Sequence, residues 1–213
     1  MKKPRILLAD DHRILAEGVR GLLEPEFELV GIVSDGRALV EAAIRLRPDV
    51  IVADISMPSL NGIDAVAQIY HAGVSCKVVF LTMQNDVSYA RRAMEAGASG
   101  YVLKHSAHDE LIKAIWEALR DQTYVTPLIA GELLRSYREV GSQPPDAARR
   151  LTPRQLEVLQ LSAEGRSAKE VASLLRISSR TAEFHRASVM KVIGVRTTAE
   201  LVQYAIRNGI ISV

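Results

Sequence analysis

Polar side chains that could do chemistry stand at four places in the first half of the chain, each directly after a short apolar run. They are the pair Asp10 and Asp11, then Asp54, Thr82 and Lys104. Several carboxylates in close quarters need a cation to offset their repulsion, and oxygen ligands favour a hard ion, Mg²⁺ by availability. A lysine and a hydroxyl facing that metal can hold phosphoryl oxygens. Because a carboxylate can itself accept a phosphoryl group, these residues predict a site that forms an aspartyl phosphate.

The apolar runs in front of these polar residues have the pattern of buried strands. Residues 50–53 are apolar without alternation, which is typical of a parallel strand covered by helices on both faces. Met57-Pro58 then turns the chain out of extended structure. The patterns predict strands over 6–9, 29–33, 50–53, 78–81 and 101–103, and helices over 12–23, 38–46, 63–72, 88–96 and 106–121. Five alternations indicate an α/β fold, a doubly wound five-stranded parallel sheet whose strand ends bind ligands.

Two helix starts in this half are predicted from capping residues. Asn61-Gly62 opens the third helix, and Ser106 with Asp109 three residues later has the spacing of a capping box for the fifth. There is no glycine-rich phosphate loop or dinucleotide fingerprint, and the five histidines are scattered along the chain. The sequence therefore argues against a nucleotide-binding loop and against a Cys/His metal site.

Composition limits the class of protein. An apolar fraction of 48% in 213 residues is ordinary for a globular chain and long enough for two small domains. The single cysteine, Cys76, precludes an intramolecular disulfide, which suits a reducing compartment. No apolar segment approaches the roughly 20 residues of a membrane span, and the first residues do not resemble a signal peptide. We therefore expect a soluble, cytoplasmic protein with no membrane partner.

Charge is distributed unevenly along the chain. Residues 1–121 contain 14 Lys/Arg and 17 Asp/Glu, a net charge of −3, whereas residues 151–213 contain 9 and 5, a net charge of +4. An acidic first part and a basic last part favour an ion-binding domain joined to a polyanion-binding domain. We predict domains at 1–121 and 150–213, with a helical linker and tether over 122–149. The tether, residues 141–149, contains two prolines and is predicted to be flexible or extended.

The last 65 residues carry the signals of four helices. Thr152-Pro153-Arg154-Gln155 and Ser167-Ala168-Lys169-Glu170 have the spacing of capping boxes, Ser179 is the predicted cap of a third helix, and residues 197–200 begin a fourth. The second and third helices are joined by a three-residue turn, residues 176–178. This spacing predicts an all-α helix-turn-helix domain whose third helix enters the major groove of DNA. A small helical bundle with solvated charges is the alternative.

The first half resembles a response-regulator receiver domain, which has a flavodoxin-like fold. An acidic pair, an aspartate after strand three, a threonine after strand four and a lysine after strand five occur in that order over residues 4–121. The resemblance implies that Asp54 is the phosphoacceptor and that Asp10, Asp11, Asp54 and the main-chain carbonyl of Ser56 hold Mg²⁺. It implies that Thr82 and Lys104 bind the phosphoryl group and that Tyr101 is a switch residue. Ser56 and Gln84 stand where receiver domains tune the lifetime of the phosphate.

The last part is similar to LuxR-type DNA-binding domains, through Leu151-Thr152-Pro153-Arg154, Lys169-Glu170-Val171-Ala172, Ile177-Ser178, Thr181, His185 and Gly194-Val195. The whole chain thus resembles the NarL/FixJ family of response regulators. The resemblance places the helix-turn-helix at 167–186 and turns Glu183, Phe184 and Ala187 to base edges, where Glu can accept from cytosine and Phe can contact a thymine methyl. Lys169, Arg180, Thr181, Arg186 and Lys191 are further candidate DNA contacts. Core packing of Phe184 is the alternative for that residue.

These observations predict a DNA-binding transcription regulator controlled by phosphorylation. The expected partners are a sensor histidine kinase, double-stranded DNA and, after phosphorylation, a second copy of the chain. We expect no enzyme activity on other substrates, because the receiver would catalyse only its own phosphorylation and dephosphorylation. One alternative is a Mg²⁺-dependent phosphohydrolase with Asp54 as its nucleophile. The other is a constitutive DNA-binding protein whose receiver only mediates dimerisation.

Overall fold

The computed structural model describes residues 2–139 and 151–211. The chain divides into two compact units, Met1–Gly141 and Ser142–Val213. The tether predicted at 141–149 lies outside the described residues. Within the described ranges, none of the helices has both the length and the apolar character that a membrane span requires.

The first unit alternates strands and helices. Its strands are β1 (Arg5–Ala9), β2 (Glu28–Val33), β3 (Val50–Ala53), β4 (Lys77–Thr82), β5 (Gly100–Leu103) and β6 (Tyr124–Val125), and its helices are α1 (Arg13–Leu23), α2 (Gly36–Leu46), α3 (Gly62–His71), α4 (Val87–Glu95), α5 (Ala107–Leu119) and α6 (Pro127–Glu139). The strands form one parallel sheet in the order β2-β1-β3-β4-β5-β6. The predicted doubly wound α/β fold is confirmed.

The sheet is covered by apolar clusters on both faces. Successive residues of β1 point to opposite faces, so Leu7 belongs to the apolar cluster that includes α2, α3 and α4, whereas Ile6 and Leu8 belong to the cluster that includes α1 and α5. The four residues of β3 are all fully buried for the same reason. This double coverage explains why β3 and β5 are continuous apolar runs rather than alternating ones.

The prediction of five strands is wrong by one, because β6 adds a sixth strand beside β5. This strand is only two residues long, so it has no periodicity that a sequence could reveal. The part of the predicted linker that the structure describes packs on the first unit, where Ile129 and Leu133 of α6 are buried in the same cluster as α4.

The capping box predicted at Ser106 is also wrong. A short 3₁₀ turn, Lys104–Ser106, precedes α5, and the Ser106 side chain makes no capping hydrogen bond.

The second unit consists of four helices, α7 (Pro153–Ala163), α8 (Ala168–Leu175), α9 (Ser179–Ile193) and α10 (Thr198–Arg207). Capping boxes open α7 and α8, as their spacing predicts, and a third opens α10 at the predicted start. The cap of α9 is Ser178 rather than Ser179, since the Ser178 side chain accepts from the Thr181 amide. Arg176 and Gly194 end α8 and α9 in the left-handed conformation, with φ of 53° and 76°. The second unit therefore has the predicted helix-turn-helix.

Gly62 holds α3 against the end of β3, and its replacement should destabilise the first unit. A Cβ atom at this position would lie 2.1 Å from the main-chain oxygen of Asp54, so Gly62→Ala requires the backbone to move. We expect it to lower the free energy of unfolding by about 1–3 kcal/mol, the usual cost of overpacking. Gly18→Ala in α1, where nothing lies within 4 Å, should raise it by about 0.5–1 kcal/mol. Urea unfolding followed by Trp116 fluorescence measures both changes, and equal shifts for the two variants would contradict the packing argument.

Candidate phosphoryl-transfer site and DNA-reading helix

The predicted polar residues meet at one edge of the sheet, where the carboxyl ends of four neighbouring strands lie side by side. Asp10, Asp54 and Lys104 directly follow β1, β3 and β5, and Thr82 is the last residue of β4. The Asp54 amide still donates to Ala9 O at 2.8 Å, so the ladder of the sheet extends to the site and positions its main chain. Asp10, Asp54, Thr82 and Lys104 are all buried. The parallel sheet therefore builds a polar pocket from residues far apart in the chain.

Lys104 is the cation of this pocket. Its Nζ lies 2.6 Å from Asp54 Oδ2 and 2.8 Å from Asp10 Oδ2, with all three side chains almost fully excluded from solvent. Burial raises the pKa of Asp54 above its ordinary value of 3.8, although the Lys104 ammonium acts in the opposite direction. Burial disfavours the ammonium of Lys104, but the Asp54 and Asp10 carboxylates outweigh this effect and raise its pKa. Attraction across the pocket therefore keeps the lysine charged.

The acidic cluster has the chemistry of a divalent-cation site. Ligand atoms of Asp10, Asp11, His12 and Asp54 all lie within 4.8 Å of one another. Asp11 Oδ1 is itself excluded from solvent and lies 2.9 Å from His12 Nδ1. When ionised, the three carboxylates carry three negative charges and Lys104 offsets one of them, so two remain. A hard dication with oxygen ligands fits this donor set.

His12 is the member of this cluster that sequence reasoning does not single out. Its Nδ1 lies 2.9 Å from Asp11 Oδ1, and its amide donates to Asp10 Oδ1 at 2.8 Å. The ring remains largely exposed, with 67% of the side chain accessible. The only signal in the sequence is that His12 directly follows the acidic pair.

Gln84 joins the remaining residues of the pocket. Its amide donates to Thr82 Oγ1 at 3.2 Å, and its side-chain amide donates to Ser56 Oγ at 3.2 Å. The Tyr101 hydroxyl, fully buried, donates to the Gln84 carbonyl at 2.7 Å. The Ser56 amide in turn donates to Asp54 Oδ1 at 3.2 Å. One residue in the loop after β4 thus connects the phosphoacceptor candidate with both switch candidates.

In the second unit, α9 presents the side chains predicted to read bases. Glu183, Phe184 and Ala187 are exposed on this helix, and 70% of Phe184 is accessible, so the core-packing alternative for this phenylalanine is excluded. The ring is therefore accessible for contact with a ligand. The aromatic ring also lies edge-on to His185, with centroids 6.0 Å apart.

The candidate phosphate contacts differ in their surroundings. Lys169, Arg180 and Lys191 are exposed. Arg186 Nη2 donates to Thr198 Oγ1 at 2.8 Å, which attaches α9 to the start of α10. The Thr181 hydroxyl is hydrogen-bonded to Ser178 Oγ at 2.8 Å and so belongs to the cap of α9. Three of these five candidates therefore project into solvent, whereas Arg186 and Thr181 have partners within the domain.

Comparison with known families identifies both units. The profile described as the response regulator receiver domain matches residues 6–116. The profile described as bacterial regulatory proteins of the luxR family matches residues 149–205. The chain belongs to the NarL/FixJ family of response regulators.

Relatives of this response regulator share both domains over nearly the whole chain. The transcriptional regulatory protein MctR of Rhizobium johnstonii is 36% identical over 212 residues, covering 99% of this chain and 96% of the relative. DegU of Brevibacillus brevis is 33% identical, with coverage of 99% and 96%. A structure of the Salmonella typhimurium response regulator RcsB has a TM-score of 0.65 at 28% identity, with coverage of 98% and 99%. Another structure holds two RcsB dimers bound to two parallel DNAs, with a TM-score of 0.60, 27% identity and coverage of 97% and 99%.

The raised pKa of Asp54 predicts a pH-dependent effect of Asp54→Asn on stability. A carboxyl whose pKa is raised on folding contributes its full stabilisation at pH values below the pKa of the unfolded state, here 3.8. That contribution is lost as the pH rises through the pKa of the folded state. Asparagine does not titrate. The unfolding free energy of the variant relative to wild type should therefore increase with pH above about 4 and then level off.

This difference is measured by urea unfolding with Trp116 fluorescence in Mg²⁺-free buffers, since a bound cation would itself shift the carboxyl pKa. Asparagine keeps the volume of Asp54 and an acceptor for the Ser56 amide. A difference that is constant or that falls with pH would contradict the origin assigned to the pKa shift.

Proposed function

We propose that this response regulator accepts a phosphoryl group on Asp54 from a sensor histidine kinase and thereby controls its own binding to double-stranded DNA as a homodimer. The observation that carries this proposal is the buried Asp54 carboxylate, 2.6 Å from the Lys104 ammonium and next to two further carboxylates. A receiver domain with this pocket and a LuxR-type DNA-binding domain form one chain. That combination belongs to phosphorylation-controlled transcription regulators.

The chemical step follows from the surroundings of Asp54. A carboxylate oxygen forms the new P–O bond while the P–N bond of the donor phosphohistidine breaks, and its electron pair goes to the imidazole of the kinase. The Ser56 amide, 3.2 Å from Oδ1, and Lys104, at Oδ2, orient the carboxylate. Lys104 then moves with its charge from the carboxylate to a phosphoryl oxygen. The Thr82 hydroxyl accepts from Gln84 now, and its own hydrogen can be donated to the phosphoryl group.

Asp10, Asp11, Asp54 and the main-chain carbonyl of Ser56 would hold Mg²⁺, which would supply positive charge against the negative charge on the phosphoryl oxygens. The protein side of this site consists of carboxylates that Lys104 alone cannot balance. We propose that the receiver catalyses only its own phosphorylation and dephosphorylation. Because both the kinase phosphoryl donor and the DNA are in the cytoplasm, we place the protein there.

The DNA-binding step assigns roles to exposed side chains of α8 and α9. Glu183 can accept from cytosine N4, and Phe184 can contact a thymine methyl in the major groove. Lys169, Arg180 and Lys191 would contact phosphates, which positions the helix without specifying sequence. A homodimer would present two such helices to half-sites about 10 base pairs apart, or a multiple of that spacing.

Phosphorylation should require both Asp54 and the cation. With acetyl phosphate and Mg²⁺, mass spectrometry of the intact chain should show the addition of one phosphoryl group. Asp54→Asn and removal of Mg²⁺ by a chelator should each abolish it, because the acceptor or the neutralising charge is lost. Asp121→Asn, on the surface beside Lys77, is the matched control and should be labelled like wild type. Labelling of Asp54→Asn to the wild-type extent would reject Asp54 as the acceptor.

The reading helix should show separate effects on specificity and on salt dependence. Arg180→Ala should weaken binding to all sequences and reduce the slope of log affinity against log salt by about one, as for one lost phosphate contact. Glu183→Ala should instead change the preference at one base pair by about 1–3 kcal/mol. Selection from a random DNA library and titrations at several salt concentrations measure both. A wild-type sequence preference in Glu183→Ala together with a wild-type salt slope in Arg180→Ala would show that α9 does not read DNA.

A further inference from the structure

One side-chain hydrogen bond joins the first turn of α7 to the middle of α9. The Gln155 side-chain amide donates to Ser188 Oγ at 3.0 Å, and both residues are partly exposed. Behind this bond, Leu159 of α7 and Val189 of α9 are buried in one apolar cluster. The bond between Gln155 and Ser188 therefore lies at the rim of the packing between the two helices, where solvent still reaches it.

The direction of this hydrogen bond is fixed by the chemistry of its neighbours. The Thr152 amide can only donate, and it lies 2.9 Å from Gln155 Oε1, so this atom of the side-chain amide must be the carbonyl oxygen. Nε2 is then the atom that faces Ser188, and because an amide nitrogen can only donate, the Ser188 oxygen accepts. The hydroxyl hydrogen of Ser188 is therefore left for another acceptor.

That hydrogen finds no acceptor in the part of the chain that the structure describes. Within residues 2–139 and 151–211, the one hydrogen bond of the Ser188 side chain is the bond that it accepts from Gln155. Serines inside helices often donate to a main-chain carbonyl of the preceding turn. Ser136 of α6 does so, with its hydroxyl 2.8 Å from Leu133 O. Ser188 differs from Ser136, since it can donate its hydrogen to a ligand without losing an internal bond.

Ser188 lies at the edge of the surface of α9 that is proposed to meet DNA. On a helix, residues three and four apart are neighbours on the surface. Ser188 therefore adjoins Phe184, four residues before it, and Lys191, three residues after it, and both of these side chains are exposed. Phe184 is proposed to contact a thymine methyl, and Lys191 a phosphate. A hydroxyl between them faces the boundary between the base edges of the major groove and the phosphates that line it.

We propose that Ser188 is a further DNA-contact residue whose hydroxyl donates to a phosphate oxygen, and that Gln155 is the positioning residue that keeps this hydrogen available. This inference rests on the proposed DNA binding by α9. Glutamate at position 155 would also complete the capping box of α7, because the first turn needs only an acceptor from that side chain. A carboxylate has no hydrogen to donate, so the Ser188 hydroxyl would donate to it instead of to the phosphate.

The first arm of the test measures the affinity of the full chain, treated with acetyl phosphate and Mg²⁺, for a fluorescein-labelled duplex of mixed sequence. Ser188→Ala should bind this duplex about five-fold more weakly, as for one lost hydrogen bond. Ser188→Thr keeps the hydroxyl and should bind like wild type. Ser136→Ala is the matched control, because the Ser136 hydroxyl is bonded inside a receiver helix, and it should also bind like wild type.

Salt dependence separates a lost hydroxyl contact from a displaced helix. A neutral hydroxyl releases no counterions, so Ser188→Ala should keep the wild-type slope of log affinity against log salt. A variant that moves α9 away from DNA would instead lose ionic contacts and reduce that slope. A reduced slope in Ser188→Ala would therefore overturn the direct contact.

The second arm is a double-mutant cycle with Gln155→Glu. In the wild-type background, this change withdraws the Ser188 hydrogen and adds a negative charge near DNA, whereas in Ser188→Ala it adds only the charge. Gln155→Glu should therefore weaken binding about five-fold more in the wild-type background than in Ser188→Ala.

Equal effects of Gln155→Glu in the two backgrounds would overturn the role of Gln155. Wild-type affinity of Ser188→Ala would overturn the phosphate contact, and either result would leave the proposed DNA binding intact. Absence of wild-type binding to the duplex would overturn both this inference and the proposed DNA binding.

Discussion

The site of the receiver depends on one buried ammonium group. Lys104 extends from the end of β5 across the end of β4 to carboxylates that follow β3 and β1. Neighbouring strands are about 4.8 Å apart, so the side chain must bridge roughly two strand spacings to reach β3. Burying charges is costly unless they are paired, and here the pairing requires four strands in the observed order. The sheet therefore does more than support the site, since its strand order is what makes the ion pair possible.

The same pocket is left with more negative than positive charge. Burial already makes the carboxylate of Asp54 a weaker acid than usual, despite the lysine beside it. Such a site gains free energy from binding a dication or from exchanging carboxylate contacts for phosphoryl contacts. Hydrogen bonds of Gln84 with Thr82 and Tyr101 make the pocket continuous with the buried ring of Tyr101 in β5. The pocket at the strand ends has an excess of negative charge, and the side chains behind it are tightly packed. These two properties suit a switch.

The DNA-binding unit is organised differently, because its four helices are short and each start is stabilised locally. Side chains of Thr152, Ser167, Ser178 and Thr197 satisfy the first amides of their helices. Such caps each contribute about 0.5–2 kcal/mol and determine where a helix begins. The caps do not involve the exposed side chains of Glu183 and Phe184 on α9.

Local chemistry in the sequence determined most of the architecture. Short patterns in the sequence show the apolar runs of β3 and β5, the caps of α7, α8 and α10, and the polar residues at the ends of β1, β3, β4 and β5.

Tertiary structure decided what has no local signature. The two-residue strand β6 exists only because the edge of β5 offers it partners, and the position of His12 depends on the fold of the loop around it. The capping box at Ser106 does not form because the chain enters α5 through a 3₁₀ turn. Gln84 connects its three partners because the sheet brings the ends of β3, β4 and β5 together, and distances across strands are not encoded in any single segment.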